Sequence, residues 1–195
     1  MPGSYPVNIE VAGVLEVPRW RPLVNWLLVI PHLVWLWVLT IALQVLAIIS
    51  WFAILITGRL PEGWGDFMVG VLRYQWRILA YLYAWTEEYP SFTPPTGYPD
   101  PGDFPAVLAS VPASERSRLT VLFRIFMVIP QYIVLYLVGI AAGVLLLIAW
   151  FVVLFTGRWP EGMRRFCIGY YRWSIRLQAY FFLITDVYPP FSLEP

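Results

Sequence analysis

Lysine is absent from these 195 residues, so all 13 basic side chains are arginine. Charge of either sign is scarce, at 13% of positions against roughly 25% in ordinary globular chains, and the formal net charge is +1. So sparse a field excludes a nucleic-acid binder, which needs a basic stripe to neutralise phosphates. The single cysteine, Cys167, excludes an internal disulfide and leaves no redox compartment to read. The single histidine, His32, rules out a Cys/His metal cluster, and no Ser/His/Asp set or Gly-rich nucleotide loop is present. The sequence predicts no cofactor, no metal and no enzyme. A basic n-region is also missing: Glu10 and Glu16 precede the first apolar run, which is therefore expected to be retained as an uncleaved anchor.

What is present is apolar and duplicated. Hydrophobic residues make up 59% of the chain and mean hydropathy is +0.67, far outside the soluble range. Thr57-Gly58-Arg59-Leu60-Pro61-Glu62-Gly63 returns as Thr156-Gly157-Arg158-Trp159-Pro160-Glu161-Gly162. A constant offset of 99 residues relates Pro31 to Pro130 and Trp51 to Trp150, without a gap from Tyr5/Phe104 onward. Roughly a third of aligned positions match, which marks an internal repeat. The repeats are assigned to residues 1–96 and 104–195, with a linker over 97–103 at the end of a Pro-rich polar tether that begins at Thr93.

Each half reads as four pieces. Tyr5 to Val11 alternates apolar and polar residues with strand period, whereas Phe104 to Ser110 keeps the aromatic-Pro opening and loses the alternation. Arg19 to Ile30 and Arg118 to Ile129 mix arginine with large apolar residues, an interfacial lead-in whose Arg19, Arg21, Asn25, Arg118 and Arg124 reach headgroups. Pro31 and Pro130 then start the spanning helices, which run to Thr57 and Thr156 without an acid or arginine. Each exceeds the roughly 20 apolar residues that cross a bilayer. Trp35, Trp37 and Trp51, like Tyr132, Tyr136 and Trp150, read as aromatic belts near the ends. Gly139 and Gly143 offer a small-residue face for close helix packing in the second copy only.

The fourth piece follows the turn. Gly58 and Gly157 end one helix, Pro61 and Pro160 open the next, and Glu62 and Glu161 suit its N-terminus; Arg59 and Arg158 anchor headgroups or pair with those acids. Turn chemistry explains this motif as structural. In the next helix, Gly70, Arg73, Arg77, Ala80 and Tyr81 recur as Gly169, Arg172, Arg176, Ala179 and Tyr180, one stripe at helical spacing. Arg73, Arg77, Arg172 and Arg176 are the candidate site. In a spanning helix they need a partner or watery cavity, which an anionic lipid, a small anion or a partner subunit's carboxylates would satisfy. In an interfacial helix they only rest on phosphates. Each half closes on Tyr89-Pro90 or Tyr188-Pro189, where proline ends the helix.

Together, Arg19-Trp20 before Ile30-Pro31-His32, the repeated turn, the paired arginines, Ala80-Tyr81 and the closing Tyr-Pro-x-Phe resemble the bacterial membrane family of unknown function DUF4389. The pattern covers both halves, with Gln131 in place of His32 and Leu119 in place of Trp20 in the second. The resemblance implies the architecture and carries over no catalytic residue.

The expectation is an all-α membrane protein of two tandem repeats, each with a long transmembrane helix and an Arg-striped helix, four membrane helices in all. With every helix spanning, the halves run parallel and the two turns share one side; with the striped helices on the surface, the halves are inverted. Arginine balance faintly favours a cytoplasmic N-terminus in the bacterial inner membrane. The expected function is a non-enzymatic accessory or scaffold subunit, partnered by membrane lipids and other membrane proteins. The alternative is binding or transport of an anionic lipid or small anion by the arginine stripe.

Overall fold

The computed structural model describes residues 5–12, 15–61, 63–97, 100–110 and 116–195. In chain order the elements are β1 (Val7–Val11), α1 (Arg21–Thr57), α2 (Trp64–Leu82), β2 (Ala106–Ser110), α3 (Arg118–Thr156) and α4 (Glu161–Phe181). Helices dominate, as expected. The departure is a two-stranded antiparallel ribbon in which β1 pairs with β2. β2 is a strand despite its poor alternation because β1 supplies its backbone partners and because Ala106 and Leu108 are buried like Val7 and Ile9.

The lead-in and the spanning segment are one helix, not two. α1 and α3 run unbroken through Pro31 and Pro130. A proline inside a helix removes one ladder hydrogen bond and pushes a preceding carbonyl aside. Both halves place a tyrosine hydroxyl on a carbonyl within the disturbed turn. Tyr89 donates its hydroxyl to the Leu28 carbonyl at 3.1 Å, and Tyr188 donates to Met127 at 3.0 Å, each three residues before its proline. Because α1 starts at Arg21, Trp35 and Trp37 fall in mid-helix and not near an end.

At their far ends α1 and α3 stop on Gly58 (φ +76°) and Gly157 (φ +70°), whose N–H groups bond back to Ile54 and Val153. Left-handed backbone is where glycine is needed. Pro61 and Pro160 do not open the next helices from within. α2 begins at Trp64 after Gly63, and Pro160 is the residue just before α4. Glu62 lies outside the described residues. The closing prolines do not end α2 and α4 either. Those helices stop several residues earlier, at Ala84 (φ +54°) and Leu183 (φ +66°), where the following N–H of Trp85 or Ile184 returns to the Ala80 or Ala179 carbonyl.

A pseudo-two-fold axis relates the halves. The ribbon register is symmetric about the pair Ile9 and Leu108. Trp51 donates to the Val121 carbonyl at 3.0 Å, and its counterpart Trp150 donates to Pro22 at 2.8 Å. Val17 N–H reaches the Gly157 carbonyl and Arg116 N–H reaches Gly58. The start of α1 therefore lies beside the end of α3, and the start of α3 beside the end of α1. The long helices are antiparallel neighbours, so the favoured parallel arrangement of halves does not form. The reason is the segment joining them: after α2 returns to the start of α1, residues 87–97 and 100–110 run back over α2 before α3 begins.

Packing is layered along this axis. The ribbon rests on α2 and α4, which back onto α1 and α3 respectively, and α1 touches α3. From Met68 to Tyr81 in α2, and from Cys167 to Tyr180 in α4, no residue is exposed. The striped helices are the interior. α1 and α3 are the opposite: only 22% and 17% of their most apolar windows are buried, at mean hydropathy 2.5 and 2.8. Among the described residues these two helices, not four, are long and apolar enough to cross a membrane. Gly139 does not serve α1–α3 packing; its bare Cα admits the Tyr170 hydroxyl from α4, and nothing approaches Gly143 closely.

The two kinds of left-handed cap carry opposite expectations. Gly157→Ala places a methyl at a strained φ against the Val17 carbonyl and should cost about 1 kcal/mol or more. Ala84→Gly relieves the same strain and should gain up to about 1 kcal/mol. Denaturant titration of the purified variants measures both; equal signs would refute this account of the caps.

Candidate functional site

The four stripe arginines turn inward and are bound by the chain itself. Arg73 is fully buried, with Nε 3.0 Å from Asp100 Oδ2 and 3.2 Å from the Leu108 carbonyl, and Nη1 2.6 Å from the Gly97 carbonyl. Arg77 donates to Asp103 at 2.7 Å and approaches Asp100 at 3.4 Å, while its guanidinium stacks over Phe104. Arg172 donates to the carbonyls of Leu193 at 2.8 Å and Ile9 at 3.4 Å. Arg176 donates to the carbonyls of Val7 and Glu194 and to Asn8 Oδ1, under the Tyr5 ring. Burial lowers the pKa of both Arg172 and Arg176, which is the electrostatic cost that these bonds offset.

Each pair performs one job, and it crosses between repeats. Arg73 of the first repeat holds β2 of the second, and Arg172 of the second holds β1 of the first. Gly70 and Gly169 complete the device by letting the segment after each helix lie close. A Cβ at Gly70 would sit 3.3 Å from the Pro95 carbonyl, and at Gly169 2.8 Å from the Leu193 carbonyl. The stripe is thus a clamp for a strand on one side and a returning chain on the other.

Asp100 is the residue that sequence reasoning missed. It sits in the presumed tether, yet its carboxylate is 3% exposed. Besides the two arginines it accepts the N–H groups of Gly102 and Leu108, so both oxygens are used. The sequence reads this stretch only as a Pro-rich polar tether, and nothing in its spacing shows which cation Asp100 meets. Around Arg172 and Arg176 the acceptors are instead Asn8 and backbone carbonyls.

The lead-in arginines also have inward duties. Arg124 binds the Tyr180 and Thr185 carbonyls and the Asp186 carboxylate, facing the negative end of α4. Its counterpart in sequence is Asn25, which donates to Tyr81 at 2.7 Å, while Arg21 supplies the bonds to Thr86 and Glu87. Two residues in one half do the work of one in the other. Arg118 donates to the Ile56 carbonyl at the end of α1. Of the turn residues, Arg59 is exposed, Arg158 pairs its backbone with Glu16, and Glu161 meets Arg165 at 3.0 Å. In both turns the preceding threonine hydroxyl accepts from the arginine N–H at 3.2 Å.

The exchange of His32 for Gln131 is compensated. His32 Nδ1 lies 2.6 Å from the Tyr74 hydroxyl, with the ring stacked on Phe92 at 4.0 Å. The position matching Tyr74 is Trp173, a pure donor, and it gives its N–H to Gln131 Oε1 at 2.6 Å; Gln131 then donates to the Pro189 carbonyl. Both pairs sit fully buried where the long helix meets the striped one. Among the described residues no three His, Cys, Asp or Glu side chains come together.

The geometry defines a protein built of two helix hairpins, each with an αL-capped long helix and an arginine-clamped partner. The chain belongs to the DUF4389 family, a domain of unknown function, whose pattern matches residues 19–93 and 118–192 in tandem. Both matches leave out the ribbon strands. No curated protein and no solved structure matches it.

Asp100→Asn removes one partner of a buried ion pair and should destabilise by about 3–5 kcal/mol, whereas Asp103→Asn, with an exposed carboxylate, should cost far less. The hydrogen bond from Arg77 holds Asp103 below the ordinary aspartate value of 3.8. Its contribution is therefore full above that value and lost as pH falls through the lower folded-state value. Urea midpoints against pH for wild type and Asp103→Asn should converge only at the acid end. Tyr74→Phe leaves His32 Nδ1 without its partner and should cost about 1–3 kcal/mol; a neutral result would remove this pair from the structural account.

Proposed function

We infer that this protein is a non-enzymatic, membrane-embedded scaffold or accessory subunit of the bacterial inner membrane. One observation carries the reading: its polar machinery is turned inward while its largest outward feature is apolar. The arginines that a ligand would need are occupied by Asp100, Asp103, Asn8 and backbone carbonyls. What remains for partners is the outer face of α1 and α3, where side chains such as Ile56, Phe155, Tyr136 and Trp37 are 66–75% exposed. Apolar surface on this scale fits lipid and the helices of other membrane proteins. Photo-crosslinkers at Val45 and Leu137, both exposed, should give one discrete protein adduct in native membranes at constant stoichiometry. Adducts with lipid alone would sink the scaffold reading.

A second reading, capture of an anionic lipid headgroup, is supported by a cleft of about 760 Å³ on α4 lined by Arg164, Arg165 and Arg172. The Nε atoms of Arg164 and Arg172 are buried there without a hydrogen-bond partner. Glu10, Glu161 and Glu194 line the same cleft, so an anion would compete with resident carboxylates. Arg164→Gln with Arg165→Gln should lower retention of phosphatidylglycerol severalfold by native mass spectrometry. Undiminished retention would dispose of this reading.

A further inference from the structure

We propose that α1 and α3 lie flat within a single leaflet of the bilayer, with the pseudo-two-fold axis along the membrane normal and the ribbon facing water. This rests on the membrane-embedded reading above and specifies how the chain is seated.

Length comes first. The exposed apolar stretch from Leu23 to Ile56 is roughly 50 Å long at the helical rise. The hydrocarbon core is about 30 Å thick. Spanning would need a tilt of about 53°, beyond the ~40° that membrane helices reach. The hydrogen bonds from Trp51 to Val121 and from Trp150 to Pro22 hold α1 and α3 side by side over this length, so both would face the same mismatch.

The polar groups give an independent argument. The axis passes Ile9 and Leu108 in the ribbon, and by the symmetry of the tryptophan bonds it passes the middle of α1 near Trp37. If α1 spanned, this level would be the bilayer centre. Glu10 is exposed beside Ile9, and the Asp103 carboxylate is 64% exposed beside Arg77. Both acids, together with the irregular backbone of 89–97 and 100–105, would then sit at hydrocarbon depth, where neither charge nor unpaired backbone is tolerated. Trp37 would also be at the centre, although tryptophan favours the interface. Turning the molecule so that the axis is upright removes every conflict. The ribbon and linker enter water, and both long helices enter the membrane at one level. Side by side they are about 10 Å thick, within the roughly 15 Å of one leaflet.

The test is depth and sidedness in phosphatidylethanolamine/phosphatidylglycerol vesicles, using the full chain in a Cys167→Ala background. Nitroxides placed singly at Leu27, Val34, Ile41 and Ile48, four exposed positions on one face of α1, should report equal depths. A profile that is shallow at Leu27 and Ile48 and deep between them overturns the flat seating. Single cysteines replacing Arg59 and Glu88, at opposite ends of α1, should react with an impermeant maleimide from the same side. Reaction from opposite sides also overturns it. Failure to partition into vesicles at all would instead defeat the membrane reading on which this stands. Equal depths and one-sided labelling uphold it whether or not a partner subunit is later found.

Discussion

Burying a guanidinium stripe is the constraint on which the rest of the structure depends. An arginine inside a protein must find acceptors for its fixed fork of donors, and free carbonyls are not supplied by helices, whose own ladder consumes them. The chain solves this by bringing non-helical backbone to the stripe: a strand edge on one side and the returning segment after each helix on the other. The ribbon, the path of residues 87–97 and 100–110 and the close approach at Gly70 and Gly169 all follow from that need. Once the returning segment lies over α2, α3 has to begin at the far end of α1. The antiparallel order of the long helices is its consequence.

Repetition shows which parts of the arrangement are chemically required. At the buried polar positions just described, where the two halves differ, a second change nearby supplies a partner. Gln131 replaces His32 only alongside Trp173 for Tyr74. Arg124 replaces Asn25 where the neighbouring Arg21 has become Thr120. Where Asp100 serves Arg73 and Arg77, Asn8 with the carbonyls of Val7 and Glu194 serves Arg176. What is held constant is satisfaction of buried polar groups, not the identity of any one side chain.

Much of this was legible in the sequence. Composition and hydropathy exposed the two long apolar helices, the 99-residue offset revealed the repeat, and Gly58 and Gly157 marked the ends of α1 and α3. The stripe itself was visible from its spacing of three and four. Its direction was not, because helical spacing shows that Arg73 and Arg77 share a face but not what covers that face. The same limit applies to β2: Ala106–Ser110 has no strand pattern of its own and becomes one through a partner about a hundred residues earlier. Pro31 misled for a different reason. A proline reads as a boundary, yet Pro31 lies inside a helix that already began at Arg21.

The crossed strands have a consequence for lineage. Each hairpin is completed by a strand that belongs to the other repeat, and the ribbon joins them about a two-fold axis through Ile9 and Leu108. A chain carrying one repeat would therefore leave part of each arginine fork, and one edge of its strand, without a partner until a second copy lent its leading strand. Such a chain is expected to exist as a strand-exchanged homodimer with an isologous contact. The present protein makes that exchange within one polypeptide, which fixes the stoichiometry of the two halves and leaves each free to differ from its twin.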